Sequence, residues 1–220
     1  MFENITETWN PVVGCLHNCS YCWARRLAET KLKNIERYKD GFKPKLVEKE
    51  LSKRFHKQNV FVSDMGDLFG KWVPAEWITK VIDAVKKSPT SNFLFLTKNP
   101  ARYFEFLKLY PENVVLGATI ETNRDNDFSD SPSIVERFKA MRELPFKNKV
   151  VSVEPIMDFD LEPFVQWIRE INPILVHVGY DNYRNQLPEP ALSKTCQLID
   201  QLREFTRVKT LTIRESKEGS

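Results

Sequence analysis

The chain has 220 residues, 41% of them apolar and 29% charged, with a formal net charge of +3. That length suits a single α/β core, so one domain is expected over residues 1–220. No apolar run approaches a membrane span and the first seven residues lack the basic and apolar blocks of a secretory signal, so a reducing cytoplasm with no membrane partner is expected.

Taken in chain order, short β-branched or apolar runs alternate with longer helical patterns, the mark of βα units around a parallel sheet. A strand is predicted near Thr6–Asn10, then a helix over Tyr21–Leu32. Phe42–His56 has no decisive periodicity. The pairs that follow are strand Val60–Ser63 with helix Pro74–Lys87, strand Phe93–Thr97 with helix Pro100–Leu109, and strand Val114–Thr119 with helix Ser133–Leu144. Strand Val150–Glu154 precedes helix Leu161–Glu170, strand Leu175–Val178 precedes helix Pro190–Phe205, and a last strand is predicted at Thr210–Ile213. Several helices open on proline, whose missing N–H costs nothing in a first turn. Seven strands cannot close an eight-fold barrel, which leaves an open, partial (β/α) barrel or a doubly wound sheet. Both place function at the carboxyl ends of the strands.

Polar residues stand at those ends: Asp64-Met65-Gly66-Asp67, Lys98-Asn99, Glu121-Thr122-Asn123-Arg124, Glu154-Pro155, Gly179-Tyr180-Asp181-Asn182-Tyr183 and Arg214-Glu215-Ser216. They read as the floor of one shared site, although turns also need polar residues. Asp64 or Asp67 could equally cap a helix. Glu154 is expected to be a buried carboxylate, which needs either a base such as Lys98 or Arg214 or a ligand of its own. Between Lys31 and Lys57 basic residues outnumber acidic ones. That stretch is either a solvated surface or a phosphate-binding patch, and with Trp72 and Trp77 read as exposed it suggests nucleic acid as a partner, whereas a small metabolite or a peptide would need only the strand-end residues.

Three of the four cysteines fall within Cys15-Leu16-His17-Asn18-Cys19-Ser20-Tyr21-Cys22. Such clustering in a reducing compartment argues for metal or redox chemistry, and thiolates suit iron–sulfur clusters. Three ligands on a four-iron cube leave one iron open, as catalytic zinc sites keep an open position. Zinc would need a fourth ligand, and only His17 lies inside the motif, with His56 and His177 far along the chain. Gly14 frees the backbone beside the first ligand, and Cys22 opens a helix whose N–H groups offset negative charge. Cys196 sits in an amphipathic pattern and is read as a small buried hydrophobe.

The C-x3-C-x-aromatic-C pattern, with Tyr21 in the aromatic position, resembles the fingerprint of the radical S-adenosylmethionine (SAM) superfamily. Thr8-Trp9-Asn10-Pro11, Ser63 to Phe69, Leu96 to Pro100, Leu116 to Asn123 and Val151 to Pro155 resemble an uncharacterised phage- and archaea-associated branch of it. The resemblance implies an open barrel of six or seven parallel strands, a [4Fe-4S] cluster on Cys15, Cys19 and Cys22, SAM chelating the open iron, and an external electron donor of flavodoxin or ferredoxin type. It further implies reductive cleavage of SAM to a 5′-deoxyadenosyl radical that takes hydrogen from a substrate. Met65, Gly66 and Asp67 stand where the family places a Gly-Gly-Glu segment against the SAM amine. The sequence departs from that segment, which puts the acid's role in question. Glu121 is implied for the ribose hydroxyls, and Tyr21 with Val178, Gly179 and Tyr180 for the adenine. Lys98, Asn123, Arg124, Glu154, Asp181, Asn182 and Tyr183 are the substrate candidates. The competing reading is a non-catalytic iron–sulfur or zinc protein, binding or regulatory, on the same fold.

Overall fold

A computed structural model describes residues 4–216. Its strands are β1 (Glu7–Trp9), β2 (Val12–Val13), β3 (Lys45–Leu46), β4 (Asn59–Val62), β5 (Asn92–Thr97), β6 (Val114–Thr119), β7 (Lys149–Val153), β8 (Leu175–Val178) and β9 (Arg207–Thr210). Its α-helices are α1 (Trp23–Glu29), α2 (Ala75–Lys86), α3 (Ile134–Glu143), α4 (Leu161–Ile171) and α5 (Leu192–Arg203). Seven strands form one parallel sheet in the order β1-β4-β5-β6-β7-β8-β9, curled into a half-barrel. The open partial barrel is therefore the fold, and the doubly wound alternative is set aside.

Local chemistry explains the elements. Every residue of β6 is buried, as expected of a central parallel strand covered on both faces. On α2 the buried Ile78, Val81, Ile82 and Val85 recur at helical spacing, and each fully buried aliphatic side chain contributes roughly 1.5–3 kcal/mol. Ser133 and Glu136 form a reciprocal capping box at the start of α3. Asn172 ends α4 in the left-handed conformation, with φ of 54°.

Three elements differ from the sequence expectation. Pro100–Phe106 is a 3-10 helix, because Pro100, Tyr103 and Phe106 recur every third residue and all three are buried. The undecided Phe42–His56 segment holds β3, which pairs antiparallel with β2, and a 3-10 turn at Glu48–Ser52. The last strand spans Arg207–Thr210 rather than Thr210–Ile213, since it is an edge strand on which charged residues face water. The apolar Leu211 that suggested the later register is 39% exposed.

The cysteine loop is fastened to the barrel through two glycines. Gly14 and Gly66 form a parallel bridge, and Gly14 N–H donates to Met65 O at 2.9 Å. Gly14 has φ of +80°, and a Cβ there would lie 2.2 Å from the Lys43 carbonyl oxygen. Gly14→Ala is therefore expected to destabilise the protein by about 2 kcal/mol or more, combining a left-handed backbone with a backbone clash. Urea unfolding measures this, and a loss under about 0.5 kcal/mol would show that the loop relaxes freely.

Candidate functional site

The carboxyl ends of β4, β5, β6, β7 and β8 and the cysteine loop line one cavity of about 440 Å³. That volume lies in the range of small-molecule and cofactor sites. Cys15, Cys19 and Cys22 all line it, with His17, Tyr21, Trp23, Ser63, Asp64, Gly66, Asp67, Thr97 and Lys98. From the later strands come Thr119, Ser152, Glu154, Tyr180, Asp181, Asn182 and Tyr183.

The sulfurs are held by their own loop. Cys15 Sγ accepts the His17 N–H at 3.4 Å, and Cys22, the N-cap of α1, accepts the Arg25 N–H at 3.3 Å. Burial pushes the Cys15 thiol up, with the Asp67 carboxylate adding to it, and burial likewise raises Cys19. Thiolates at these positions need a cationic partner. Among the described residues no three His, Cys, Asp or Glu side chains form a group able to hold a metal ion.

Two buried carboxylates fasten this loop to the strands. Asp67, 5% exposed, accepts the His17 Nε2–H at 2.9 Å, the Thr97 hydroxyl at 2.6 Å, and the backbone N–H of Phe69 and Lys98. Burial works against its charge, but the bonds from His17 and Thr97 hold its pKa below the ordinary value. Glu121, 1% exposed, accepts from the Tyr21 hydroxyl and the Lys98 ammonium on Oε1 and from Arg137 on Oε2 at 2.7 Å. Burial opposes its ionisation too, but Lys98 and Arg137 prevail and lower its pKa to about 2. Lys98 also donates to the Tyr21 hydroxyl at 2.9 Å.

The predicted site residues fall into groups. Tyr21, Gly66, Asp67, Lys98, Glu154, Tyr180, Asp181, Asn182 and Tyr183 line the cavity with the three cysteines. Met65, Glu121, Asn123, Arg124, Val178 and Gly179 are not among its lining residues. Met65 joins an apolar cluster with Val13, Ala24 and Phe42, and Val178 lies in the main core. Arg124 is exposed and pairs with Asp158 and Asp160, while Asn123 bonds the Asp160 backbone.

Glu154 has neither of its expected bases. Lys98 is paired with Glu121, and Arg214 grips Glu189 with both terminal nitrogens, at 2.8 and 2.5 Å. Burial raises the Glu154 pKa. Cys196 is exposed, on the outer side of α5, rather than buried. Trp72 and Trp77 are half-buried against the core, Trp72 with its ring centroid 4.7 Å from that of His17, so they are not open stacking platforms.

Several participants escaped the sequence reading. Arg137 is the clearest, a 3% exposed arginine donating to Thr119 O, Pro132 O, Ser131 Oγ and Glu121. Its signal was a charge set in the apolar face of α3 among Ile134, Phe138 and Met141. Thr119 and Ser152, register partners on β6 and β7, and Ser63, with φ of 58° and a buried hydroxyl lacking any partner, carry no sequence signal beyond lying at strand ends.

Residues 2–169 match the family described as a protein of unknown function, DUF5131. The chain belongs to that family. No curated protein matches it. The solved structures that this DUF5131 chain resembles include a spore photoproduct lyase variant with bound AdoMet and dinucleoside spore photoproduct, at 11% identity and TM-score 0.58. That match covers 90% of this chain and 61% of the lyase, so the chain spans about three-fifths of the lyase's length. SuiB of Streptococcus suis, solved with its precursor peptide SuiA, matches at 12% identity and TM-score 0.61 over 95% of this chain and 49% of SuiB. A radical SAM methyltransferase from Sphaerobacter thermophilus matches at 14% identity and TM-score 0.60 over 96% of this chain and 67% of its own. At these identities the likeness is one of fold, and the DUF5131 chain shares the fold of radical SAM enzymes. No helix among the described residues is long and apolar enough to cross a membrane.

Proposed function

We propose that this chain is a radical SAM enzyme in which Cys15, Cys19 and Cys22 hold a [4Fe-4S] cluster that leaves one iron to SAM. One observation supports this above the rest: the three thiols of the motif line the same cavity as the ends of five parallel strands. Held there and reduced by an external donor of flavodoxin or ferredoxin type, the cluster and SAM would supply radical chemistry for hydrogen abstraction.

The protein's own residues position and enclose. The N–H bonds to Cys15 and Cys22 hold their sulfurs in place against the loop backbone. Asp67 is occupied by four donors and closes the loop, leaving the backbone around Gly66 and the Asp64 carboxylate to face the SAM amine. Tyr21 stands in the cavity wall at the adenine end, whereas the Tyr180 ring is fully buried beneath Arg214 and packs the core behind it. Glu121 has its oxygens committed to Tyr21, Lys98 and Arg137, so the ribose hydroxyls fall instead to Glu154 with Ser152 and Thr119. Those three side chains share the β6–β7 corner of the cavity, and no partner among the described residues occupies them.

Anaerobic reconstitution with iron and sulfide, then dithionite and SAM, tests the reading by chromatography of 5′-deoxyadenosine. Its formation is the expected result. A full, reducible cluster that never binds or cleaves SAM would favour a non-catalytic iron–sulfur protein. Glu154→Gln is expected to weaken SAM binding roughly tenfold, the worth of one charged hydrogen bond. Isothermal titration of the reconstituted protein measures this, and unchanged affinity would remove Glu154 from the ribose contacts.

A further inference from the structure

Two aromatic side chains at the cavity are left uncovered by the fold. Trp23 is 40% exposed and Tyr183 is 42% exposed, and both line the cavity. They come from α1 and from the loop between β8 and α5. Arg26 joins them: it lies three residues beyond Trp23 on α1, so the two share a helix face. Its guanidinium carbon is 4.9 Å from the Tyr183 ring centroid, and it donates to Asn185 Oδ1 at 2.7 Å. Arg25 is tied back to Asn18 at 2.6 Å, and Arg184, next to Tyr183, is exposed.

Three guanidinium groups thus accompany two open aromatic faces. On α1 only Glu29 opposes them. The acidic Asp125, Asp127 and Asp130 belong to the loop that bonds Ser20 and His17 beside the Arg25–Asn18 pair, so they offset charge on the Arg25 side and leave Arg26 and Arg184 as the main cations beside Tyr183. Exposed rings beside fixed cations suit a ligand that alternates flat π faces with negative charge, since stacking on aromatics and backbone charge are what single strands offer. An acidic peptide would use the charges and leave the ring faces idle.

We propose that the Trp23–Arg26–Tyr183 rim binds single-stranded nucleic acid, stacking a base on Trp23 or Tyr183 and placing phosphates on Arg25, Arg26 and Arg184. A neighbouring unstacked nucleotide is thereby presented to the cavity, as chemistry on a base requires. This moves the nucleic-acid face from the Lys31–Lys57 stretch, whose supporting tryptophans are packed on the core, to the cavity mouth. Only the step of presentation rests on the radical SAM reading; strand binding does not.

The test is fluorescence anisotropy of reconstituted protein, without SAM, on a labelled mixed-sequence oligonucleotide of about 15 nucleotides, as DNA and as RNA. Wild type should bind, and Trp23→Ala and Tyr183→Ala should each weaken binding roughly tenfold, as loss of one stacked base does. Arg184→Ala should lower the slope of log affinity against log salt by about 0.7. Phe104→Ala, an exposed aromatic away from the cavity, should bind as wild type does. The proposal is overturned if no oligonucleotide binds at low salt, if both aromatic variants match wild type, or if polyglutamate competes as well as unlabelled oligonucleotide. Formation of 5′-deoxyadenosine in the same preparation separates failure of the enzyme reading from failure of this one.

Discussion

Cys19→Ala is expected to lose most of its iron and all detectable 5′-deoxyadenosine formation, while Cys196→Ala keeps both. Cys19 is the most enclosed of the motif cysteines, 8% exposed, and it is packed against Tyr21, Met157 and Leu187. Removing its sulfur leaves two ligands on the proposed cluster, too few to hold a cube. Cys196 stands exposed on α5, a helix that contributes no residue to the cavity wall, so its thiol serves as the control. Cys19→Ser separates ligand loss from a packing defect, because serine nearly preserves the volume. Iron and sulfide analysis with the reduced-cluster resonance reads the first effect, and chromatography the second. Full iron in Cys19→Ala would exclude that residue from the ligand set.

How far the sequence reaches can be judged from particular residues. The strands were legible because β5, β6 and β7 are buried on nearly every position and so read as unbroken apolar runs. The edge strand β9 was misplaced, because its pairing to β8 is set by tertiary contact while its own residues are largely polar. At the site, the cysteine spacing is local and was readable. Glu121 was read as a carboxylate for the ribose hydroxyls, but what its oxygens meet is Lys98 and Arg137, which are 23 and 16 residues away in the chain. Sequence periodicity reports which face a residue takes, and it says nothing about which charge from another element will meet it. The same gap hid the freedom of Glu154, since its two nominal bases had been claimed by Glu121 and Glu189.

Arg137→Met carries the second large effect, a loss of about 3–5 kcal/mol in stability at neutral pH, the usual cost of breaking a buried ion pair from one side. Arg137 and Glu121 are 3% and 1% exposed, so solvent screens neither charge, and methionine fills much of the volume without supplying a donor. Thr119 O and Pro132 O lose their donor in the same step. Set against a total stability of about 5–15 kcal/mol, this is a large fraction. The acid limb of the stability curve reports the same pair. Glu121 has its folded-state pKa held at about 2, below the ordinary carboxylate value. Its contribution is therefore complete above the unfolded pKa of roughly 4.3 and is lost as pH falls through about 2. Without Arg137 only Lys98 and the Tyr21 hydroxyl oppose burial of that carboxylate, so its folded pKa rises and the variant should begin to lose stability at higher pH than wild type. Urea unfolding at neutral pH and acid unfolding followed by near-ultraviolet circular dichroism measure the two effects. Equal stability in both would mean that Lys98 and Tyr21 suffice to hold Glu121, and that Arg137 merely satisfies the backbone carbonyls around it.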